Sequence, residues 1–223
     1  MSKVLITGAN RGIGLAMAKN LSQRGDQVIA VCRQSSAELD ALELQIEAGI
    51  DVANSDNVRE LGERLQGQTL NRLILNAGVL RGDHLGGLDD NAFDAMREQF
   101  EVNALGPLRV AATLRNNLGE GSKIGIITSR MGSIADNTSG GNYGYRMSKA
   151  AVNVVGRSLA QDLKASGIAV FLLHPGFVQT EMVGGNGDIS ATDAAANLLA
   201  RMDELTINDT GTFWHAKGEP LPW

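Results

Sequence analysis

Cysteine is almost absent: Cys32 is the only thiol in 223 residues. No internal disulfide can form, and a reducing compartment fits that usage. Histidine is scarce as well. His84, His174 and His215 lie far apart in the chain and, with one cysteine, give no metal-ligand spacing, so no metal site is expected. Aromatics make up 4% of the residues, which leaves little to stack on a flat ligand. There is no basic excess and no basic run. The net charge is −5, which argues against nucleic acid as a partner. No apolar stretch approaches a membrane span. The first residues, M-S-K-V-L-I-T-G, run straight into a strand pattern, so the expectation is a cytoplasmic protein with no leader to remove. There is no linker, repeat or low-complexity segment.

The chain that remains is 43% hydrophobic and 20% charged, as in an ordinary water-soluble protein. Its 27 glycines are spread over many turns. Apolar runs at residues 3–7, 27–32, 42–47, 72–75, 123–128, 168–173 and 211–215 read as strands. Helical stretches separate them: 15–24, 55–66 with Ser55 as N-cap, 90–101, 103–114 with Pro107 in its first turn, a run carrying Tyr145 and Lys149 to residue 165, and 192–202. The terminal G-E-P-L-P-W reads as a surface tail. Six or seven strands alternating with helices predict one α/β domain, residues 1–223, built on a doubly wound parallel sheet. In such sheets ligands bind beyond the carboxyl ends of the strands. The unusual residues fall there: Gly8, Gly12 and Gly14, then Arg33, Asp51, Asn76 to Gly78, Ser129, and Pro175 to Thr180.

Gly8, Gly12 and Gly14 stand between a strand and a helix. Glycines at that place allow a tight turn and a close backbone approach to a diphosphate at the helix N-terminus. Their spacing, G-x-x-x-G-x-G, differs from the commoner G-x-G-x-x-G, and an ordinary glycine-rich turn is the competing reading. Strand two ends V-C-R-Q. It lacks the carboxylate that would hold a ribose 2′-hydroxyl. Arg33 there and Arg11 in the glycine loop are cations suited to a 2′-phosphate, so NADP is expected over NAD, unless both are merely solvated. Tyr145 and Lys149 share a helix face at i, i+4. An adjacent ammonium favours the phenolate, and a shift of about three units is roughly 4 kcal/mol, which would make Tyr145 a working acid or base near neutrality. Tyr143 competes, but only Tyr145 is spaced from a lysine.

Six motifs stand in a fixed order: T-G-x-x-x-G-x-G from Thr7, N-A-G from Asn76, Asn103 in E-V-N-A-L-G-P, S-x-x-G from Ser129, Y-x-x-x-K from Tyr145, and P-G-x-V-x-T from Pro175. With them the chain resembles the short-chain dehydrogenases/reductases over nearly its whole length. Within that family, I-T-S-R-M-G-S-I, D-N-T-S-G-G-N-Y-G-Y-R-M-S-K-A-A and the terminal L-P-W resemble the Sniffer-like and C-factor-like carbonyl reductases. The resemblance implies a Rossmann-like NAD(P)-binding domain with roles for named residues. Tyr145 would donate the proton to the carbonyl oxygen, and Ser129 would hydrogen-bond that oxygen. Lys149 would hold the nicotinamide ribose and lower the Tyr145 pKa. Asn103 would hold a water linking Lys149 to solvent. Asn10, Arg11 and Ile13 would line the cofactor with the three glycines, Arg33 would meet its phosphate, and Asp51 with Val52 would meet the adenine. Asn76, Ala77 and Gly78 would wall the cofactor path. Pro175, Gly176, Val178 and Thr180 would lie at the nicotinamide.

Alternatives stay open at this level. Ser133 competes with Ser129, because Ser129 stands farther from Tyr145 than is usual in the family. Asn103 could simply cap its helix, and Asp51 could be an ordinary turn residue. His174 reads as a structural strand-end residue. The segment E-M-V-G-G-N-G-D-I after Thr180 would make a small mobile lid over an open pocket, which suits a broad range of small aldehydes or ketones. The expected activity is NADPH-dependent carbonyl reduction, with a C-factor-like signalling protein and an NAD-linked alcohol dehydrogenase as the other readings. Apolar, alanine-rich faces on 103–114 and 143–165 suggest a homodimer or homotetramer.

Overall fold

The computed structural model describes residues 1–223. Seven parallel strands form one sheet in the order β3-β2-β1-β4-β5-β6-β9. They are β1 (Lys3–Thr7), β2 (Gln27–Val31), β3 (Gln45–Glu47), β4 (Leu70–Leu75), β5 (Leu118–Ile127), β6 (Ala169–His174) and β9 (Thr212–His215). The central strands carry near-continuous Val, Ile and Leu because both faces of the sheet are covered. On one face Leu5, Leu73, Ile124 and Val170 meet α3 (Ser55–Arg64), α5 (Gly106–Thr113) and α6 (Tyr143–Lys164). On the other, Ile6, Ile74, Phe171 and Leu173 meet α1 (Gly12–Gln23) and α7 (Ala191–Glu204). The strand order reverses between β1 and β4, so the switch point at which such sheets bind ligands lies beyond their carboxyl ends. No helix is long and apolar enough to cross a membrane.

Several local expectations are corrected. Strand β3 is three residues long, because Leu42 lies in a turn and Glu43 takes a left-handed φ of 53°. The N-cap of α3 is Asn54, not Ser55; its Oδ1 accepts from the backbone N–H groups of Asp56 and Asn57. Strand β5 starts five residues earlier than its apolar run, at Leu118. The helices at 90–101 and 103–114 are one continuous rod, in which α4 (Asp90–Phe100) passes through a π turn (Glu101–Leu105) into α5. A short parallel pair, β7 (Val178–Gln179) with β8 (Ile189–Ser190), closes the base of the segment after Thr180. That segment is a bonded loop: Gly185 N–H donates to the Thr180 carbonyl at 2.9 Å and Asp188 N–H to the Phe177 carbonyl at 2.8 Å.

The terminus is no free tail. Leu221 is buried against Phe213 and Leu172. Trp223 stacks on Phe213 with ring centroids 5.5 Å apart. Its carbonyl accepts from Ala135 N–H at 3.0 Å and from the Ser133 hydroxyl at 3.2 Å. The segment therefore braces the loop that follows β5.

Candidate active site

The cleft begins at the β1–α1 turn. Gly14 sits so close to the backbone that a Cβ there would stand 2.1 Å from the Gly8 carbonyl oxygen and 2.6 Å from Asn76 Nδ2. Asn76 stitches β4 to this turn, donating from Nδ2 to the carbonyls of Thr7 at 3.0 Å and Gly8 at 3.2 Å. The Thr7 hydroxyl accepts in turn from the N–H groups of Asn76 and Ala77. The N-terminus of α1 has no side-chain cap and no acidic residue in its first turn. Its N–H groups at Gly12, Ile13 and Gly14 are left for an anion, which fits a dinucleotide diphosphate. The Asn10 carbonyl accepts from the Ser36 hydroxyl at 2.8 Å, tying this loop to the segment after β2.

Helix α6 and the end of β5 supply the polar centre. Ser129 caps a 3-10 turn (Arg130–Gly132), its hydroxyl accepting from Met131 N–H. That turn lies flat on α6: a Cβ on Gly132 would be 2.7 Å from the Lys149 carbonyl. The S-x-x-G spacing therefore reflects a close approach of backbones. Lys149 is buried, and its Nζ donates to the Ile127 carbonyl at 3.0 Å. The same Nζ is 5.7 Å from the centre of the Tyr145 ring. Burial lowers the Lys149 ammonium to about 8. Burial also pushes the Tyr145 phenol up to about 12, with the neighbouring Ser129 hydroxyl acting in the opposite direction. Burial therefore works against the depressed Tyr145 pKa that the spacing suggests. One of the three ammonium donors is used on a backbone carbonyl, and desolvation of the phenolate is the larger effect on the phenol.

The two serines separate clearly. Ser133 uses its hydroxyl on the Trp223 carbonyl and on Asp136 N–H, whereas Ser129 faces Tyr145. Tyr143 is the first residue of α6 and is exposed.

Asn103 sits in the π turn, a departure from regular α geometry often found at functional sites. It does not cap a helix. Its Oδ1 accepts from Val79 N–H at 2.8 Å, and its Nδ2 donates to the Val79 carbonyl at 2.8 Å and the Ser148 hydroxyl at 3.0 Å. Ser148 passes the link on to the Tyr145 carbonyl at 2.8 Å. The amide thus bolts the loop after β4 to α6. Gly78 lies between these groups: a Cβ there would be 3.2 Å from Asn103 Oδ1 and 3.8 Å from Lys149 Nζ.

The outer residues divide. Arg33 is exposed at the end of β2 with no ion-pair partner, while Arg11 reaches across the cleft to Glu181 at 2.7 Å. Only Arg33 of the expected pair is free. Asp51 bonds its own turn through Ala53 N–H at 2.9 Å and is half-buried. Val52 is buried, its carbonyl accepting from Arg109 at 2.7 Å. Pro175 is buried, and Gly176 adopts a φ of +96°. Val178 is buried in the β7–β8 pair. The Thr180 methyl lies over Gly12, 3.4 Å from where its Cβ would be, so the glycine loop and the P-G-x-V-x-T segment form two sides of one cleft. His174 packs edge-on against His215 with centroids 5.1 Å apart, and burial drives its pKa down to about 3. It is a neutral strand-end residue.

Sequence reasoning missed Thr7, Ser148 and the Trp223 brace. Thr7 and Ser148 lay inside motifs already marked, but their partners are distant in the chain. Nothing in G-E-P-L-P-W alone points to Ser133.

Comparison with known proteins agrees with this architecture. The family model for short chain dehydrogenase matches residues 2–189. Over all of both chains the protein is 43% identical to 1-hydroxy-2-glutathionyl-2-methyl-3-butene dehydrogenase of Rhodococcus sp. (strain AD45). It is 42% identical to the C-signal of Myxococcus xanthus, over 68% of this chain and 91% of that one. Among solved structures it superposes on carbonyl reductase Sniffer of D. melanogaster with a TM-score of 0.90 at 28% identity, both chains covered in full. A carbonyl reductase from Pseudomonas aeruginosa PAO1 in complex with NADP gives 0.86 at 35% identity, again over both full chains. The glycine cradle, the Ser129–Tyr145–Lys149 cluster and these likenesses have one explanation: the chain belongs to the short-chain dehydrogenase family of oxidoreductases.

Proposed function

We propose that the protein is an NADPH-dependent reductase of small aldehydes and ketones. The observation that carries this is the convergence of the Ser129 hydroxyl, the Tyr145 phenol and the buried Lys149 ammonium beside the glycine cradle. Burial keeps the Tyr145 phenol in its neutral, protonated form, and its hydrogen bond with Ser129 sets both hydroxyls where one carbonyl oxygen could meet them. When bound, the nicotinamide cofactor supplies the hydride. Tyr145 supplies the proton to the carbonyl oxygen, and the Ser129 hydroxyl stabilises the charge that develops there. Lys149, still largely charged at pH 7, holds the ribose and returns a proton toward the phenol. The N–H groups from Gly12 to Gly14 hold the diphosphate. Gly8, Asn10 and Ile13 shape that turn, while Asn76, Ala77 and Gly78 form the far wall. Val178 and Thr180 lie at the nicotinamide beside Pro175 and Gly176, and Asp51 and Val52 lie at the adenine.

NADP is favoured over NAD by the unpaired Arg33 and by the missing carboxylate at the end of β2. The NADP complex of the Pseudomonas aeruginosa carbonyl reductase supports the same choice. Arg11 joins Arg33 only by releasing Glu181. Exposed apolar side chains on the α4–α5 rod and α6, Phe93, Phe100, Leu108 and Val154 among them, suit a homodimer or homotetramer.

The likeness to the Rhodococcus dehydrogenase favours one second reading, in which the physiological direction is oxidation of an alcohol on a thioether conjugate. Oxidation needs Tyr145 to accept a proton, so it should be slow at neutral pH. The test is dinucleotide consumption with NADPH and NADH against a panel of aldehydes, diketones and quinones, with alcohol oxidation run in parallel. Turnover with NADPH fits the proposal. Turnover confined to NADH, or to alcohols at pH 7, contradicts it.

A further inference from the structure

Tyr145 is the third residue of α6, so its position depends on how that helix begins. The beginning is weak by itself. Gly140, Gly141 and Asn142 all have left-handed φ, at 65°, 63° and 50°. Asn142, the N-cap residue, offers no side-chain hydrogen bond to the first turn. A helix start normally needs such an acceptor, because its first N–H groups have no partner inside the helix.

The acceptor comes from elsewhere. Asp83 lies in the loop after β4, and its two carboxylate oxygens take the first two helix amides. Tyr143 N–H donates to Oδ1 at 2.6 Å and Gly144 N–H to Oδ2 at 3.0 Å. Asn142 N–H adds a bond to the Asp83 carbonyl at 2.9 Å. A carboxylate at this end also suits the helix dipole.

Asp83 is itself held. The loop from Gly78 onward is pinned at alternate residues to three different pieces of structure. Val79 bonds to Asn103 in the π turn, Arg81 N–H bonds to the Gln99 side chain of α4 at 2.9 Å, and Asp83 bonds to α6. The wall formed by Asn76, Ala77 and Gly78 is thereby linked through a short, tethered rail to the first turn of α6. We propose that Asp83 is a positioning residue that fixes the Tyr145 phenol relative to the cofactor wall by capping α6 from 60 residues away. The proposal rests on the reading of Tyr145 as proton donor. A displacement of a reacting group by about an ångström can cost on the order of a hundredfold in rate, so the cap is expected to act on turnover more than on cofactor binding.

Three variants separate positioning from plain stability. Asp83→Ala removes the acceptor. Asp83→Asn keeps one oxygen, which is enough for two amides: Asn54 Oδ1 accepts from both Asp56 and Asn57 N–H in this same chain. Asp83→Glu keeps the charge but sets the carboxylate one methylene further out. With NADPH and p-nitrobenzaldehyde, kcat should fall roughly tenfold or more in Asp83→Ala, stay within about threefold in Asp83→Asn, and be lower in Asp83→Glu than in Asp83→Asn. The NADPH dissociation constant should stay within about twofold in all three, a change of under half a kcal/mol. Amide hydrogen exchange supplies a readout free of activity. The peptide covering Tyr143 to Arg146 should exchange faster in Asp83→Ala than in wild type, with the rest of α6 unchanged.

Wild-type kcat in Asp83→Ala, Asp83→Glu outperforming Asp83→Asn, or unaltered exchange at the start of α6 would each overturn the proposal. If Asp83→Ala does not fold, the order of the other two variants and their exchange decide it. Failure of the donor reading looks different: Tyr145→Phe would keep its turnover whatever the Asp83 variants do.

Discussion

Replacing Gly14 by alanine probes the cofactor cradle at its tightest point. The new Cβ would stand 2.1 Å from the Gly8 carbonyl oxygen, 2.6 Å from Asn76 Nδ2 and 2.9 Å from the Gly8 carbonyl carbon. Two of these three atoms are backbone, so no side-chain rotation relieves the clash. Overpacking of this kind costs about 1–3 kcal/mol, and displacing Asn76 loses a hydrogen bond to Gly8 worth roughly 1 kcal/mol more. Alanine's better helix propensity offsets at most about 1 kcal/mol. The net destabilisation is then about 1–3 kcal/mol, or roughly 2–12 °C in melting temperature for a chain of this size. Shifting the loop should also remove at least one charge-assisted hydrogen bond to the diphosphate, weakening NADPH by roughly tenfold or more. The assay is thermal denaturation with NADPH titration, using Gly119→Ala as control. Gly119 lies in β5 with no atom within 4 Å of a Cβ and no left-handed φ, so that change should stay within about 0.5 kcal/mol. Equal melting temperatures and equal NADPH affinities for the two variants would refute the claim that the turn is built around this contact.

Other consequences are as direct. Asn103→Ala leaves the Val79 N–H and carbonyl without their partner, and should cost about 2–4 kcal/mol in the urea-unfolding free energy; a loss under about 0.5 kcal/mol would mean the bolt is idle. Ser129→Ala should lower kcat by roughly a hundredfold, while Ser133→Ala should leave kcat within a few fold and mainly loosen the terminal segment; the reverse order in steady-state rates would reassign the serine. Reduction should hold from neutral pH to about 8 and decline above it, because the Lys149 ammonium loses its proton near there while the phenol stays protonated to about 12. Lys149→Met should remove that limb, and a reductive rate that climbs with pH would contradict the assignment.

The chain announces its scaffold clearly. Strands buried on both faces must be apolar runs, and the glycine loop and the N-A-G turn follow two of them, so the parallel sheet and the position of the cleft could be read without coordinates. Tyr145 and Lys149 were legible because a four-residue spacing on a helix is a local fact. What escaped was set by partners distant in sequence. Asn103 reads as a possible helix cap in the sequence, whereas its amide bonds Val79 and Ser148. The terminal segment looked free because its contacts are to Phe213 and to the Ser133 loop. Arg11 looked like half of a phosphate site, but Glu181, 170 residues on, takes its guanidinium. The effect of burial on Tyr145 escaped for a related reason. Spacing places the ammonium near the phenol but says nothing of the Ile127 carbonyl that claims it, or of the burial of both groups.

The central claim is that Tyr145 gives the proton. The most direct measurement is single-turnover oxidation of NADPH on mixing with p-nitrobenzaldehyde, wild type against Tyr145→Phe, with NADPH affinity determined for both. Removing only the hydroxyl should leave the dissociation constant within about twofold and slow the chemical step by roughly 10²–10⁴. A Tyr145→Phe protein that binds NADPH normally and reduces the aldehyde at the wild-type rate would contradict it.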